Sequence, residues 1–269
     1  MAKTKMLSYW DYLSLDVILN AQYPKTEAHD EPLFIMIHQT FEVWFKLLIF
    51  ELRETIKQLH AGDAAKAAHY LHRVNTILGI SAHGFHVMDT MTPEAFREFR
   101  DALIPASGTQ SFQFRELEIL AGVGKIKDAQ GNEKFYWEDT PDAGLTLQYF
   151  FEKYGTRLRD VIEETKRTGT LRSLFTALLT RTTGENDLVK AAAKASGDVK
   201  TLLDEIRSFD ETFIHWRGAH VSTTAHAISD SPGTVLNEHE QLPTSSCVDY
   251  LQSTIDFHKQ LLFPEFHQK

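Results

Sequence analysis

At 269 residues the chain is long enough for one large domain or two modest ones. Its 42% hydrophobic and 24% charged residues are the makeup of a soluble globular protein, and a net charge of −9 argues against a general binder of nucleic acid or anionic membrane, which needs a basic surface. A single cysteine, Cys247, excludes an internal disulfide framework and fits a reducing cytoplasm. The opening MAKTKMLSYWDYLSLD lacks the apolar core of a signal peptide, and no uninterrupted apolar run approaches the roughly 20 residues of a membrane span.

In chain order, the spacing of Leu7, Leu13, Leu15, Ile18 and Leu19 predicts an amphipathic helix over 7–22, stopped by Tyr23-Pro24. Asp30-Glu31-Pro32 reads as a helix start, with a capping Asp and then Glu and Pro in the first turn. The helix that follows, about 33–60, carries Phe34, His38, Phe41, Phe45, Leu48 and Leu52 on one face. It is apolar enough to predict burial between neighbours, and Gly62 lies just beyond its end. A third helix is expected over 64–90, a short one from Thr92-Pro93-Glu94, a break at Ser107-Gly108 and a helix over about 110–121. The glycines and polar residues of 122–144 make a loop region, with a hairpin around Gly131-Asn132. Helices are expected again over 145–166, 170–181, 185–195 and, at greatest length, 198–229, which Ser229-Asp230-Ser231-Pro232-Gly233 ends. A polar loop over 230–246 and a last helix over 247–262, closed by Pro264, complete the chain. With no repeat and no sustained β-alternation, the expectation is one all-α domain of long helices spanning 1–269.

Three constellations carry chemistry. On the longest helix Ile206, Phe209, Phe213, Trp216, His220, Thr224 and Ala227 recur at steps of three and four, so His220 lies on an apolar stripe. A buried imidazole needs a partner. In isolation such a histidine reads as a satisfied core residue; a metal, haem iron above all, is the alternative partner. His38 has the same character within Leu33-Phe34-Ile35-Met36-Ile37, either as a packed histidine bonded to backbone or as a pocket-lining base beside Phe34 and Phe41. In Ser107-Gly108-Thr109-Gln110-Ser111-Phe112-Gln113-Phe114-Arg115, the arginine either pairs with Glu118 or Glu116 on its own helix or holds a carboxylate in a two-pronged hydrogen bond. His69 with His72, and His83 with His86, have spacing suited to zinc but lack a completing ligand set. Cys247 has no nucleophile motif around it, and neither a phosphate loop nor a nucleophile elbow is present.

Five segments in order resemble the tryptophan 2,3-dioxygenase superfamily of histidine-ligated haem enzymes. They are Tyr9-Trp10-Asp11-Tyr12-Leu13-Ser14-Leu15-Asp16 with Asn20-Ala21-Gln22; His29-Asp30-Glu31-Pro32-Leu33-Phe34-Ile35; His38-Gln39-Thr40-Phe41-Glu42-Val43-Trp44-Phe45-Lys46; the Ser107–Arg115 stretch; and Trp216-Arg217-Gly218-Ala219-His220. The resemblance implies an all-α helical bundle around a pocket for haem b. In it His220 is the axial iron ligand, Trp216 and Ser111 lie against the haem, and His38 is the distal histidine near the indole nitrogen. Phe34 is a wall on the indole, and Arg115 is the clamp on the amino-acid carboxylate. It also implies a cytoplasmic homotetramer, a dimer of dimers, in which residues 1–24 are exchanged and Tyr9 and Tyr12 reach a neighbouring subunit's pocket.

The region after His220 departs from the family. Where its dioxygenases have basic segments and a Gly-Thr-Gly-Gly-Ser-Ser-Gly-like loop, this chain has Val221-Ser222-Thr223-Thr224-Ala225-His226 and then Gln241-Leu242-Pro243-Thr244-Ser245-Ser246-Cys247. Thr244 is the candidate contact to the substrate's ammonium or carboxylate. The expected activity is haem-dependent oxygenation of the indole ring of tryptophan or a substituted tryptophan with O2. Two outcomes are open: 2,3-dioxygenation, or mono-oxygenation to a 2-oxindole. A haem-dependent L-tyrosine hydroxylase and a non-catalytic haem-binding protein are the alternatives.

Overall fold

The computed structural model describes residues 6–104, 106, 108–123, 125–127, 133–135, 155–228 and 262–267. These form α1 (Tyr9–Leu13), α2 (Leu15–Ile18), α3 (Glu31–Ala61), α4 (Ala64–Ala82), α5 (Gly84–Met88), α6 (Pro93–Phe99) and α7 (Phe112–Ala121). They continue with a hairpin of β1 (Lys125–Lys127) and β2 (Glu133–Phe135), then α8 (Gly155–Thr168), α9 (Leu171–Thr183), α10 (Leu188–Lys194) and α11 (Gly197–Ile228). The all-α class holds; the hairpin is antiparallel, pairs Ile126 with Lys134, and brackets the expected turn.

α3, α4 and α11 make the framework. Each presents an apolar stripe at helical spacing: Phe41, Phe45, Leu48 and Leu52 from α3, Ala67, Leu71, Val74 and Leu78 from α4, and Ile206, Phe209, Phe213 and Trp216 from α11, all buried. α7 packs on α3 and α8. It starts at Ser111, whose side chain accepts from the Phe114 N–H, and ends at Gly122, whose φ of +81° closes the helix in the left-handed region.

Four expectations need correction. The helix over 7–22 is two short ones, because Ser14 adopts a φ of +52° and its N–H turns back onto the carbonyls of Asp11 and Trp10. The helix over 64–90 breaks at His83, where its N–H bonds Ile80 and α5 starts in a new direction. Asp30 precedes α3 but makes no side-chain cap. Instead the buried Glu31 turns back and accepts from the N–H groups of Lys25 and Thr26 and from the Thr26 hydroxyl, at 2.6, 2.8 and 2.6 Å. Nor is α3 buried all round: Met36, Val43, Leu47 and Phe50 lie exposed along one side. Among the described residues α3 alone is long and apolar enough to cross a membrane. Its other side packs on α4 and α7 as a core helix does.

Candidate functional site

Phe34 and His38 lie one turn apart on α3, with ring centroids 4.1 Å apart. Phe96 and Phe99 back Phe34 at 5.7 and 5.6 Å. His38 Nδ1 lies 2.7 Å from the Phe34 carbonyl oxygen. That oxygen only accepts, so Nδ1 carries the proton and Nε2 keeps a lone pair. Burial holds the His38 pKa below the ordinary histidine value, so the ring is neutral near pH 7.

His220 projects from α11, one turn beyond Trp216, with ring centroids 5.5 Å apart. Phe85 stacks on it at 5.6 Å and 25°. The α4–α5 break is what turns Phe85 inward. The close approach there rests on Gly84, where a β-carbon would come within 2.8 Å of the Phe41 ring. Part of the His220 surface stays open, yet protein packs it densely. Burial, and then the positive charges of Arg217 and Arg115, depress its pKa to about 4. Ring contacts run from His38 through Phe41 at 6.2 Å and Phe85 at 4.8 Å to His220 at 5.6 Å, and Glu118 joins Arg115 to Arg217, so α3, α7 and α11 bring His38, Arg115 and His220 to a common region.

Trp216 is buried in an aromatic cluster, 5.1 Å from Phe85, 4.9 Å from Phe114 and 5.5 Å from Phe45. Its indole Nε1 is buried with no hydrogen-bond partner among the described residues. Ser111 is half-buried as the N-cap of α7. Arg115 is buried, and its Nη1 donates to Glu118 Oε2 at 3.1 Å, so the within-helix pairing is present. Glu116 instead meets Arg53 and Arg157, at 3.1 and 3.2 Å. Tyr9 and Tyr12 stand exposed on α1. Thr244 and the 230–246 loop lie outside the described residues.

Sequence reasoning missed Phe85 and the second partner of Glu118. Phe85 carried no signal in its spacing. The buried Glu118 also takes Arg217 of α11. Arg217 lies against the faces of Phe114 and Phe213, 4.9 Å from each centroid.

The family model described as tryptophan 2,3-dioxygenase matches residues 2–182. The chain belongs to the tryptophan 2,3-dioxygenase family. Among its relatives, tryptophan 2,3-dioxygenase of Caulobacter vibrioides is 34% identical over 96% of this chain and 95% of its own length. Its counterpart in Anaeromyxobacter dehalogenans is 32% identical over 87% and 88%. That of Polaromonas sp. is 33% identical over 96% and 85%. Family members are haem-iron enzymes, which makes this chain a haem-dependent oxidoreductase that incorporates O2.

The residues present fit a haem. Among the described residues no three His, Cys, Asp or Glu side chains gather as a metal site. An iron already held by a macrocycle needs one protein donor, and a neutral, rigidly packed imidazole such as His220 is suited to that task. The Trp216 N–H beside it is buried without a hydrogen-bond partner among the described residues, a donor that a bound group could take up.

Proposed function

We propose that this chain is a haem-dependent oxygenase acting on the indole ring of L-tryptophan and inserting both atoms of O2 across C2 and C3 to give N-formylkynurenine. The observation that carries the reading is the run of ring contacts from His38 on α3 through Phe41 and Phe85 to His220 on α11, with Arg115 tied to the His220 helix through Glu118 and Arg217. Relatives named tryptophan 2,3-dioxygenase, aligned over nearly the whole chain, support it.

When bound, the haem supplies the activation of O2; the chain supplies position. His220 is the proposed iron ligand, with Trp216 and Ser111 beside the haem. His38, with its Nδ1 proton committed to Phe34, offers Nε2 as acceptor for the indole N–H. It thereby orients the ring and stands ready to hold that proton. Phe34 and its backing phenylalanines form an apolar wall for the indole that excludes water. Arg115 supplies the cation for the substrate carboxylate, and Thr244 is proposed to join it.

Mono-oxygenation to a 2-oxindole is the second reading. It is favoured by the altered sequence after His220. Mass spectrometry of the product from tryptophan under labelled O2 separates the two. Two labelled atoms support ring cleavage, one supports mono-oxygenation, and no product from any aromatic amino acid refutes the oxygenase reading.

We read the chain as one domain that assembles as a homotetramer, a dimer of dimers, with residues 1–24 exchanged. None of the residues of α1 or α2 is buried. Tyr9, Trp10, Tyr12, Val17, Ile18 and Leu19 are exposed, as is the Met36–Phe50 side of α3. Apolar surface of this extent supports cover by other copies. Light scattering that returns a monomer at micromolar concentration overturns this.

A further inference from the structure

The carboxylate of Glu118 is fully buried and is shared between two helices. Its Oε2 accepts from Arg115 Nη1, one turn earlier on α7, and its Oε1 meets Arg217 Nη2, which comes from α11 three residues before His220. Arg217 lies against both Phe114 and Phe213, 4.9 Å from each ring centroid, and those two rings stack on each other at 5.8 Å. Its partners on Glu118 and on the two rings leave it little freedom, so Arg217 acts as a stake in the helix of His220. Glu118 ties Arg115 to that stake. Two guanidinium groups brought together in a protein interior repel, and a carboxylate between them is what allows both to stay.

We propose that Glu118 is a positioning residue for the substrate clamp: it sets where the Arg115 guanidinium stands relative to the His220 helix, and so sets affinity for the carboxylate of the amino acid. This rests on the reading of Arg115 as that clamp. Loss of the Glu118 charge acts in two opposed ways. By charge alone it favours an anionic substrate. By position it weakens binding, because Arg115 withdraws from Arg217 and its hydrogen bonds must be re-formed from a disordered start. Position wins, since a hydrogen bond to a charged group depends steeply on distance and angle.

The test compares Glu118→Gln, Glu118→Asp, Arg115→Leu and the Glu118→Gln/Arg115→Leu double variant in the haem-loaded enzyme. Calorimetric L-tryptophan affinity and steady-state kinetics are read together. Glu118→Gln should weaken affinity by about ten- to a hundredfold, the scale of a charged hydrogen bond, and kcat at saturation should stay within about threefold. Glu118→Asp, which keeps the charge one methylene further back, should recover part of the loss. The double variant should bind no more weakly than Arg115→Leu, because the two act on one interaction. Tryptamine, which lacks the carboxylate, should bind the parent and Glu118→Gln alike; a merely unfolded or loosened pocket would lose both ligands. Unchanged or tighter tryptophan binding in Glu118→Gln, beside a loss in Arg115→Leu, overturns the role of Glu118 and leaves the clamp standing. Unchanged affinity in Arg115→Leu overturns the clamp itself. Should Glu118→Gln fail to fold, an unaltered affinity in Glu118→Asp overturns the proposal on its own.

Discussion

The two halves of α11 bury a titratable group each and put it to different ends. In the first half Asp210 is wholly buried, and its Oδ2 accepts from the Phe263 N–H and faces His267 Nε2, at 2.9 and 3.1 Å. Arg207 donates to the Phe266 carbonyl at 2.6 Å, Arg172 holds the Leu262 carbonyl and Glu265, and Phe263 and Phe266 are fully buried. This end is a clasp for residues 262–267. In the second half the His220 ring has aromatic and cationic neighbours, Phe85, Trp216, His38, Arg217 and Arg115. Burial pushes Asp210 up to about 7 and His220 down to about 4, each toward its neutral form. Desolvation alone therefore does not mark a functional site. The neighbours decide: hydrogen-bond donors make Asp210 an anchor, while cations and ring faces leave His220 with a lone pair to offer.

Breaking the comparison at His220 should have the largest effect. His220→Ala should purify with little haem, read as loss of the Soret band, while its far-ultraviolet dichroism stays helical; full occupancy would refute the axial assignment. Breaking it at the other end should cost stability and spare the cofactor. Phe263→Ala removes a fully buried ring and should lower unfolding free energy by about 3–5 kcal/mol in denaturant melts, with haem content per folded chain unchanged.

Asp210→Asn sharpens the contrast through pH. The folded pKa of Asp210 lies above its ordinary 3.8, at about 7. Its contribution is therefore fully present below 3.8 and is lost as pH rises toward 7. His267, lowered first by burial, works in the opposite sense, losing its contribution as pH falls. The amide keeps an acceptor for Phe263 without the charge, so the stability of the variant relative to the parent should rise from pH 5 to pH 8. A constant difference across that range would refute the clasp's titration. The smallest effect belongs to Thr223, whose hydroxyl donates to Asp89 Oδ1 at 2.6 Å beside the His220 turn. Thr223→Val should cost about 1 kcal/mol and leave the Asp210 end untouched, which a pH series of melts will show.

The three framework helices were legible because each repeats apolar residues at 3.6-residue spacing over four turns or more. The same repetition exposed His38 and His220 as polar interruptions. What escaped was set by distance along the chain or by single backbone angles. Arg115 and Glu118, three apart on one helix, were visible as a pair. The second claimant on Glu118, Arg217, lies far along the chain and had no local sign. Asp210 and Phe263, likewise distant, meet only because 262–267 folds back on α11. The break at Ser14 has no glycine or proline beside it, and at His83 the apolar spacing runs on past Gly84. Glu31 was read for its charge in the first turn, whereas its side chain reaches back to the segment before the helix.

Gly84 ties one of those hidden breaks to the site. The first β-carbon placed there meets the Phe41 ring at 2.8 Å. Phe41 in turn stands against Phe85, which faces His220. A library randomised at this codon and selected for haem retention should return glycine alone, even though the position coordinates nothing and touches no substrate.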